Sequence, residues 1–187
     1  MNRSRNSLYT IRIRSNNYQG KGCYDLECPG FVQINKDTYP GESLENFSVY
    51  DGQQTEIHVS IQKDKQSGNW WLTVDGSAVG YWPSSIFTSI SNAADFVEWG
   101  GETFHAKFDN DPPQMGSGHL SSDGYKRSSY IRDIKYTNVS GTEINPTRQS
   151  FEPIVTSPKC YDINLHNRIV DHQTQVYLFY GGPGCTI

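Results

Sequence analysis

The sequence has no apolar run approaching the 18 residues from which a membrane-spanning helix is recognised, so we expect no membrane segment. Charged residues are also scarce, at 19% of 187 residues, and the formal net charge is −4. A weakly acidic net charge argues against the basic surface of nucleic-acid binding proteins, so we expect no nucleic-acid partner. Residues 1–22 contain no acidic residue, and the apolar core of a signal peptide is missing from this stretch.

The chain is rich in aromatic residues instead, at 13%, and it contains 17 glycines and 9 prolines. Aromatic side chains favour strands, and glycine and proline favour the turns between them. A length of 187 residues suits one domain with a sizeable core. We therefore expect a single domain over residues 1–187, built mainly from short strands.

Apolar residues alternate with polar ones along much of the chain, which is the pattern of half-buried strands. Residues 55–62 alternate cleanly, a turn follows at 65–69, and Asp75-Gly76 is a strong tight-turn signal. These turns predict antiparallel neighbours. Strands are predicted over residues 8–14, 31–35, 55–62, 70–74, 78–82, 96–104, 128–139 and 176–180.

One short helix is predicted over residues 83–94, because Pro83 suits a first helical turn and apolar residues follow at helical spacing. Residues 141–158 hold three prolines among polar neighbours and predict a long surface loop. The expected fold class is therefore all-β, an antiparallel β-sandwich of two packed sheets with one short helix.

Four cysteines allow two disulfides with three possible connectivities. The spacings favour local closure, which pairs Cys23 with Cys28 and Cys160 with Cys185. A zinc site is the alternative, but neither pair has C-x-x-C spacing. Disulfides belong to oxidising compartments. Three Asn-x-Ser triplets agree with a secretory route, at Asn2, Asn46 and Asn138.

Two carboxylates lie close together in the segment Val97–Glu102. Residues four apart on a strand face the same way, so Glu98 and Glu102 could line one groove beside Trp99. Burial next to an indole ring raises a carboxyl pKa, and we expect Glu98 to be partly buried. Such carboxyls serve in general acid–base catalysis. The alternative is a pair of solvated acids on an outer sheet face.

Aromatic and amide side chains could form the walls of this groove. Trp70-Trp71 should send one ring to each face of its strand, one into the core and one to a groove or sugar-stacking surface. Tyr81, Trp82 and Tyr180 carry the same two interpretations. The glycine-rich turn that begins at Gln114 could place an amide nearby. The five histidines show no metal-ligand spacing, so neither a metal nor another cofactor is expected.

Four motifs together resemble the neprosin family of plant glutamic peptidases. They are G-Y-W-P-S-x-I-F at Gly80–Phe87, V-E-W-G-G-E at Val97–Glu102, Q-M-G-S-G-H at Gln114–His119 and F-Y-G-G-P-G at Phe179–Gly184. The cysteine-loop segment at residues 22–35 and Cys160-Tyr161-Asp162-Ile163 are also similar to this family. The resemblance covers essentially the whole chain.

The resemblance implies an antiparallel β-sandwich with a concave groove and a secreted endopeptidase that works at acid pH without a metal. It implies a peptide or protein substrate containing proline and a water molecule held by two glutamates. Glu98 matches one catalytic glutamate, and Glu102 is the second choice. The expected protein is a monomer. The groove residues are expected to be Tyr81, Trp82, Trp99, Gln114 and Tyr180.

The chain departs from the family at its start. In the family, the partner glutamate precedes a strand that residues 7–14 resemble, yet no glutamate occurs here before Glu27. We therefore expect the second catalytic carboxylate, an N-terminal strand, the pro-segment and the signal peptide to be missing. The alternative function is that of an inactive binding module for proline-rich peptides or cell-wall glycans.

Overall fold

The computed structural model describes residues 26, 30–42, 46–87, 90, 92–103, 113–170 and 172–185, and the statements below refer to these residues. They form nine strands and three short 3-10 turns, and all strand pairing is antiparallel. The all-β prediction is confirmed. None of the described elements is a helix with the length and apolarity required to cross a membrane.

The chain divides into two compact units. The first comprises Met1–Ser48 and Gln54–Val97, and the second comprises Val49–Gln53 and Glu98–Ile187. Each unit has its own sheet and its own cluster of buried side chains. The packing of two sheets into a sandwich stays a prediction.

The sheet of the first unit has four strands in the order β1-β4-β3-β2. Their bounds are Val32–Gln33 for β1, Val59–Lys63 for β2, Trp70–Val74 for β3 and Ser77–Trp82 for β4. Strands β2, β3 and β4 follow one another as hairpins, as the turn signals predict. The register shifts between Leu72 and Thr73, which marks a bulge in this sheet.

One face of this sheet carries the core of the first unit. Leu72 and Val79 are fully buried, and Trp82 packs edge-on against Phe31 with ring centroids 4.6 Å apart. Trp70 joins this cluster, and its indole N–H donates to the carbonyl of Ile90 at 3.4 Å. Successive side chains on a strand point to opposite faces, so Trp71 lies on the other face. The prediction of one ring on each face is confirmed.

The sheet of the second unit has three strands in the order β5-β9-β8, and a separate pair joins β6 to β7. The bounds are Ser129–Ile131 for β5, Tyr136–Thr137 for β6, Glu143–Ile144 for β7, Asp162–Val170 for β8 and Gln173–Gly181 for β9. The long hairpin of β8 and β9 pairs nine residues on each strand. Leu165, Val176 and Leu178 form the core of this unit with Ile134.

Asp162 at the start of β8 anchors the loop that precedes β5. Its carboxylate accepts hydrogen bonds from the backbone N–H and the hydroxyl of Ser121, both at 2.7 Å. The Ser128 hydroxyl donates to the carbonyl of Leu120 at 2.5 Å. Both serines are buried, so these bonds satisfy polar groups that would otherwise be costly to bury.

The Cys160–Cys185 disulfide joins the approach to β8 to the segment after β9, with Cα atoms 4.7 Å apart. This predicted pairing is confirmed, whereas the Cys23–Cys28 pairing lies outside the described residues. The bridge closes a loop of 25 residues in sequence separation. The bridge lowers the conformational entropy of the unfolded chain. For a loop of this size, this stabilises the folded state by about 3.5 kcal/mol.

We expect the double substitution Cys160→Ser with Cys185→Ser to lower the free energy of unfolding by about this amount, 3.5 kcal/mol. Urea unfolding of the variant and of the unsubstituted chain measures the difference directly. Since both termini of the loop lie in the second unit, the loss should appear in signals from that unit. An unchanged unfolding midpoint would show that the bridge adds no stability.

The predicted helix over residues 83–94 is wrong. Among the described residues of this stretch only Ser84–Ile86 forms a 3-10 turn, and Phe87 is already extended at φ −108° and ψ 134°. No side chain caps this turn and no acid occupies its first residues, so the usual helix start signals are missing. The N–H of Ser84 donates to the side-chain oxygen of Asn69 at 3.0 Å.

Several strand predictions also need correction. Residues 96–103 form no strand, and they pair with no strand among the described residues. The predicted strand over 128–139 is divided into β5 and β6, and the predicted loop over 141–158 contains β7 and the 3-10 turn Arg148–Ser150. Strand β8 was not predicted, since its second half is exposed on both faces. The predicted strand over residues 8–14 lies outside the described residues.

Candidate active site

The segment Glu98–Thr103 is held in the second unit by one large side chain. Trp99 is partly buried and packs against the core of this unit. Its ring lies edge-on to Phe151 with centroids 5.9 Å apart. Glu98 directly precedes this anchor, so the position of its backbone is fixed by the packing of the indole ring.

Gly101 brings the same segment close to two further side chains. A Cβ atom at Gly101 would lie 2.6 Å from Cε2 of Tyr180 and 2.9 Å from both Cγ and Sδ of Met115. These distances are shorter than real Cβ contacts, so only glycine fits here without a shift. Gly100 differs, because a Cβ there would meet nothing within 4 Å.

Met115 is fixed in turn against the end of β9. Its N–H donates to the carbonyl of Gly182 at 3.0 Å, and the N–H of Gly182 donates back to the carbonyl of Met115 at 3.3 Å. The hydroxyl of Tyr161 donates to the carbonyl of Pro113 at 2.7 Å. Gly101, Met115 and Gly182, which belong to V-E-W-G-G-E, Q-M-G-S-G-H and F-Y-G-G-P-G, therefore lie close together in the second unit.

Both candidate carboxylates are exposed. The expectation that Glu98 is partly buried is wrong, because its side chain falls in the exposed class, as does that of Glu102. The strand geometry that was expected to place both acids on one face is also absent from residues 96–103. The anchoring of this segment through Trp99 and Gly101 leaves the Glu98 carboxylate accessible to a solvent-borne substrate.

Tyr180 is a partly buried side chain beside this segment. It packs against the core of the second unit. Burial raises the pKa of its phenol above the ordinary value of 10.0. The phenol therefore stays protonated across acid and neutral pH, and it keeps the ability to donate a hydrogen bond.

The other predicted groove residues lie in different surroundings. Gln114 is exposed, and its amide packs next to Gly118 of the same turn. Trp82 is only 8% exposed and belongs to the core of the first unit, so its ring packs in this core and does not line a groove. Tyr81 lies on the opposite face of that sheet and contacts Trp71 with ring centroids 4.8 Å apart.

A cluster around His119 was not found by sequence reasoning. The Nδ1 atom of His119 lies 2.9 Å from the carboxylate of Asp123, and its ring packs on Tyr50 with centroids 4.6 Å apart. Asp51 pairs with the guanidinium of Arg127 at 2.8 Å. The cluster fixes the segment Val49–Gln53 to the loop that follows Q-M-G-S-G-H. A spacing of about 70 residues gives no local sequence signal for such contacts.

Asp51 makes the stability of this cluster dependent on pH. The hydrogen bond from Arg127 holds the pKa of the Asp51 carboxyl below its ordinary value of 3.8. A lowered carboxyl pKa contributes stability above the ordinary value, and this stability is lost as the pH falls through the lowered value. The pair therefore stays intact at about pH 4–5.

We expect Asp51→Asn to flatten the dependence of the melting temperature on pH below about pH 4. Asparagine suits this position because it tolerates the positive φ of 54° at residue 51. The control is Asp95→Asn, an exposed acid of the first unit. Equal slopes for the two variants between about pH 4 and pH 2 would contradict the role given to Asp51.

Among the residues that the structure describes, no group of three or more His, Cys, Asp or Glu side chains could hold a metal ion.

Comparison with known families agrees with the three motifs that meet in the second unit. The sequence model of the Neprosin family matches residues 1–183 of the chain. The chain belongs to the neprosin family. The match includes Glu98 and Trp99, the glycine-rich turn that begins at Gln114, and the end of β9.

Proposed function

We propose that this chain is a peptidase domain of the neprosin family that hydrolyses proline-containing peptides at acid pH, with Glu98 as the catalytic carboxylate. The observation that carries the proposal is that Gly101, Met115 and Tyr180, one residue from each of three family motifs, lie together in the second unit, and that Gly101 comes three residues after the exposed Glu98. Family membership supports the reaction class, since the match spans residues 1–183.

The proposed reaction uses Glu98 twice. Its carboxylate takes a proton from a water molecule, and the water oxygen forms a bond to the carbonyl carbon of the scissile peptide. The carbonyl oxygen becomes an oxyanion in this tetrahedral intermediate. When the carbon–nitrogen bond breaks, the amine nitrogen takes the proton back from Glu98. The reaction consumes one water molecule and forms one carboxylic acid and one amine.

Stabilisation of the oxyanion requires hydrogen-bond donors that keep their protons at acid pH. The Tyr180 phenol meets this requirement, because burial raises its pKa and the ring lies beside Gly101. The exposed Gln114 amide is the second candidate donor. Glu102, four residues after Glu98, is the second candidate for the carboxylate that takes a proton from water.

We also propose that the protein is secreted. The Cys160–Cys185 disulfide supports this, because such bonds persist in oxidising compartments. A peptidase active at acid pH fits an extracellular or otherwise acidified space. Detection of the protein outside cells by an antibody, with the disulfide intact in mass spectra, tests the proposal, and retention inside cells would contradict it.

A peptide assay tests the activity. The purified chain is incubated at about pH 4.5 with a synthetic peptide that contains one internal proline, and the fragments are identified by mass. We expect one internal cleavage beside the proline. A chelator should leave the rate unchanged, because a carboxylate activates the water. Cleavage that stops when the chelator is added would contradict the mechanism.

A further inference from the structure

The first unit carries an aromatic pair on the sheet face that does not hold its core. Trp71 on β3 and Tyr81 on β4 stand directly opposite each other in the register. Their ring centroids are 4.8 Å apart and their planes are inclined by 38°. Both rings are partly buried, so each keeps part of its surface accessible.

An open depression lies over this pair, and six of its eight lining residues are polar. Gln62 stands opposite Trp71 on the edge strand β2, so three strands contribute side chains to one row. Strands in a sheet are about 4.8 Å apart, and the row from β2 to β4 is therefore about 10 Å long. The lining residues are Gln62, Lys63, Asp64, Lys65, Ser67, Asn69, Trp71 and Tyr81.

The polar rim has a fixed shape. The carboxylate of Asp64 accepts hydrogen bonds from both the backbone N–H and the hydroxyl of Ser67. The Oδ1 atom of Asn69 accepts the N–H of Ser84 at 3.0 Å, which fixes the direction of its amide. The N–H of Asp64 donates to the carbonyl of Asn69 at 2.9 Å and closes the turn.

We propose that this depression is a saccharide-binding site and that its ligand is a short neutral oligosaccharide. A pyranose ring has an apolar C–H face, which stacks on an aromatic side chain, and a rim of hydroxyls, which needs donors and acceptors. Trp71 and Tyr81 supply the aromatic surface on which the sugar ring stacks. The amides of Gln62 and Asn69 supply hydrogen-bond donors and acceptors for its hydroxyls. All of its lining residues belong to the first unit, whereas Glu98 belongs to the second.

The spacing of the rings favours a sugar over a proline-rich peptide. Grooves that recognise such peptides seat proline between aromatic side chains. Ring centroids 4.8 Å apart are already in contact, which leaves no room for a proline ring between them. The rim carries Lys63, Asp64 and Lys65, a net charge of only +1, and the Lys63 ammonium donates to the carbonyl of Asn92 at 3.1 Å. A highly charged polymer of either sign is therefore not favoured.

Titration with cellohexaose and xylohexaose, followed by tryptophan fluorescence, tests the proposal. At least one of these oligosaccharides should bind, and Trp71→Ala should weaken binding at least tenfold. Tyr81→Phe keeps the stacking ring and should retain most of the affinity. Tyr136→Ala removes an exposed ring of the second unit and serves as the matched control, with no expected change.

Gln62→Ala provides a second variant at an exposed edge position, so a folding defect of Trp71→Ala does not leave the question open. It should also weaken binding, and circular dichroism should match the unsubstituted chain. Glu98→Gln should bind the oligosaccharide unchanged, which separates this site from peptide hydrolysis. The proposal fails if neither oligosaccharide binds, if Trp71→Ala and Gln62→Ala bind normally, or if a proline decapeptide binds to these rings instead.

Discussion

Glu98→Gln is expected to reduce kcat/KM for a proline-containing peptide by about 10³-fold, because general acid–base catalysis by a positioned group contributes about 10²–10⁴-fold. Glutamine keeps the size of the side chain but cannot take a proton from water. Since the Glu98 side chain is exposed, the free energy of unfolding should change by less than about 0.5 kcal/mol. Initial rates and urea unfolding of the same preparation measure both quantities.

The matched control is Glu152→Gln, which neutralises another exposed carboxylate of the second unit. Its rate should equal that of the unsubstituted chain. Glu102→Gln decides between the two candidate carboxylates. If Glu102→Gln loses the activity and Glu98→Gln keeps it, the catalytic role belongs to Glu102 and the assignment made here is wrong.

Gly101→Ala is expected to reduce kcat by about 10²-fold, because a displacement of about 1 Å in a catalytic segment has an effect of this size. The added methyl group would collide with the Tyr180 ring, which is packed in the core, and with Met115. Methionine adapts easily, but the tyrosine ring does not. The segment that carries Glu98 should therefore move away from its position.

Gly100→Ala is the control for this prediction. The two glycines are adjacent, yet a Cβ at Gly100 meets no atom within 4 Å. Gly100→Ala should therefore keep its activity to within about twofold, since surface substitutions change stability by only about 0.5 kcal/mol. Equal losses in the two variants would indicate a general sensitivity of the glycine pair. Full activity in Gly101→Ala would show that contact with Tyr180 does not position Glu98.

The meander of the first unit could be predicted from the sequence because its signals are local. The predicted strand over residues 70–74 coincides with β3, and the one over 78–82 with most of β4. Alternating side chains separated by the turn residues Asp75-Gly76 specify a hairpin with little help from the rest of the chain. The Cys160–Cys185 pairing was also accessible from spacing alone.

The surroundings of the candidate site could not be predicted in the same way. The alternation around Trp99 resembles a strand, but the segment is held by packing of one indole and by close approach at Gly101. Those contacts involve Phe151 and Tyr180, which lie about 50 and 80 positions further along the sequence. The exposure of Glu98 depends on these distant contacts. The motifs singled out the segment as a candidate site, whereas its conformation required the fold.

The failed helix prediction over residues 83–94 has a related cause. Apolar spacing is compatible with a helix, but Ser84 is bound through its N–H to Asn69 of a neighbouring turn. Phe87 then enters the core of the first unit in an extended conformation. Burial of this ring decided the conformation, because helix propensity is weak compared with core packing.

The dependence of peptide hydrolysis on pH, measured with the purified chain between about pH 3 and pH 8, tests the central claim most directly. A carboxylate that activates water predicts cleavage beside proline with a maximum in the acid range and almost no cleavage by Glu98→Gln at any pH. A correctly folded chain that cleaves no proline-containing peptide across this range, or one whose Glu98→Gln variant follows the same profile, would contradict it.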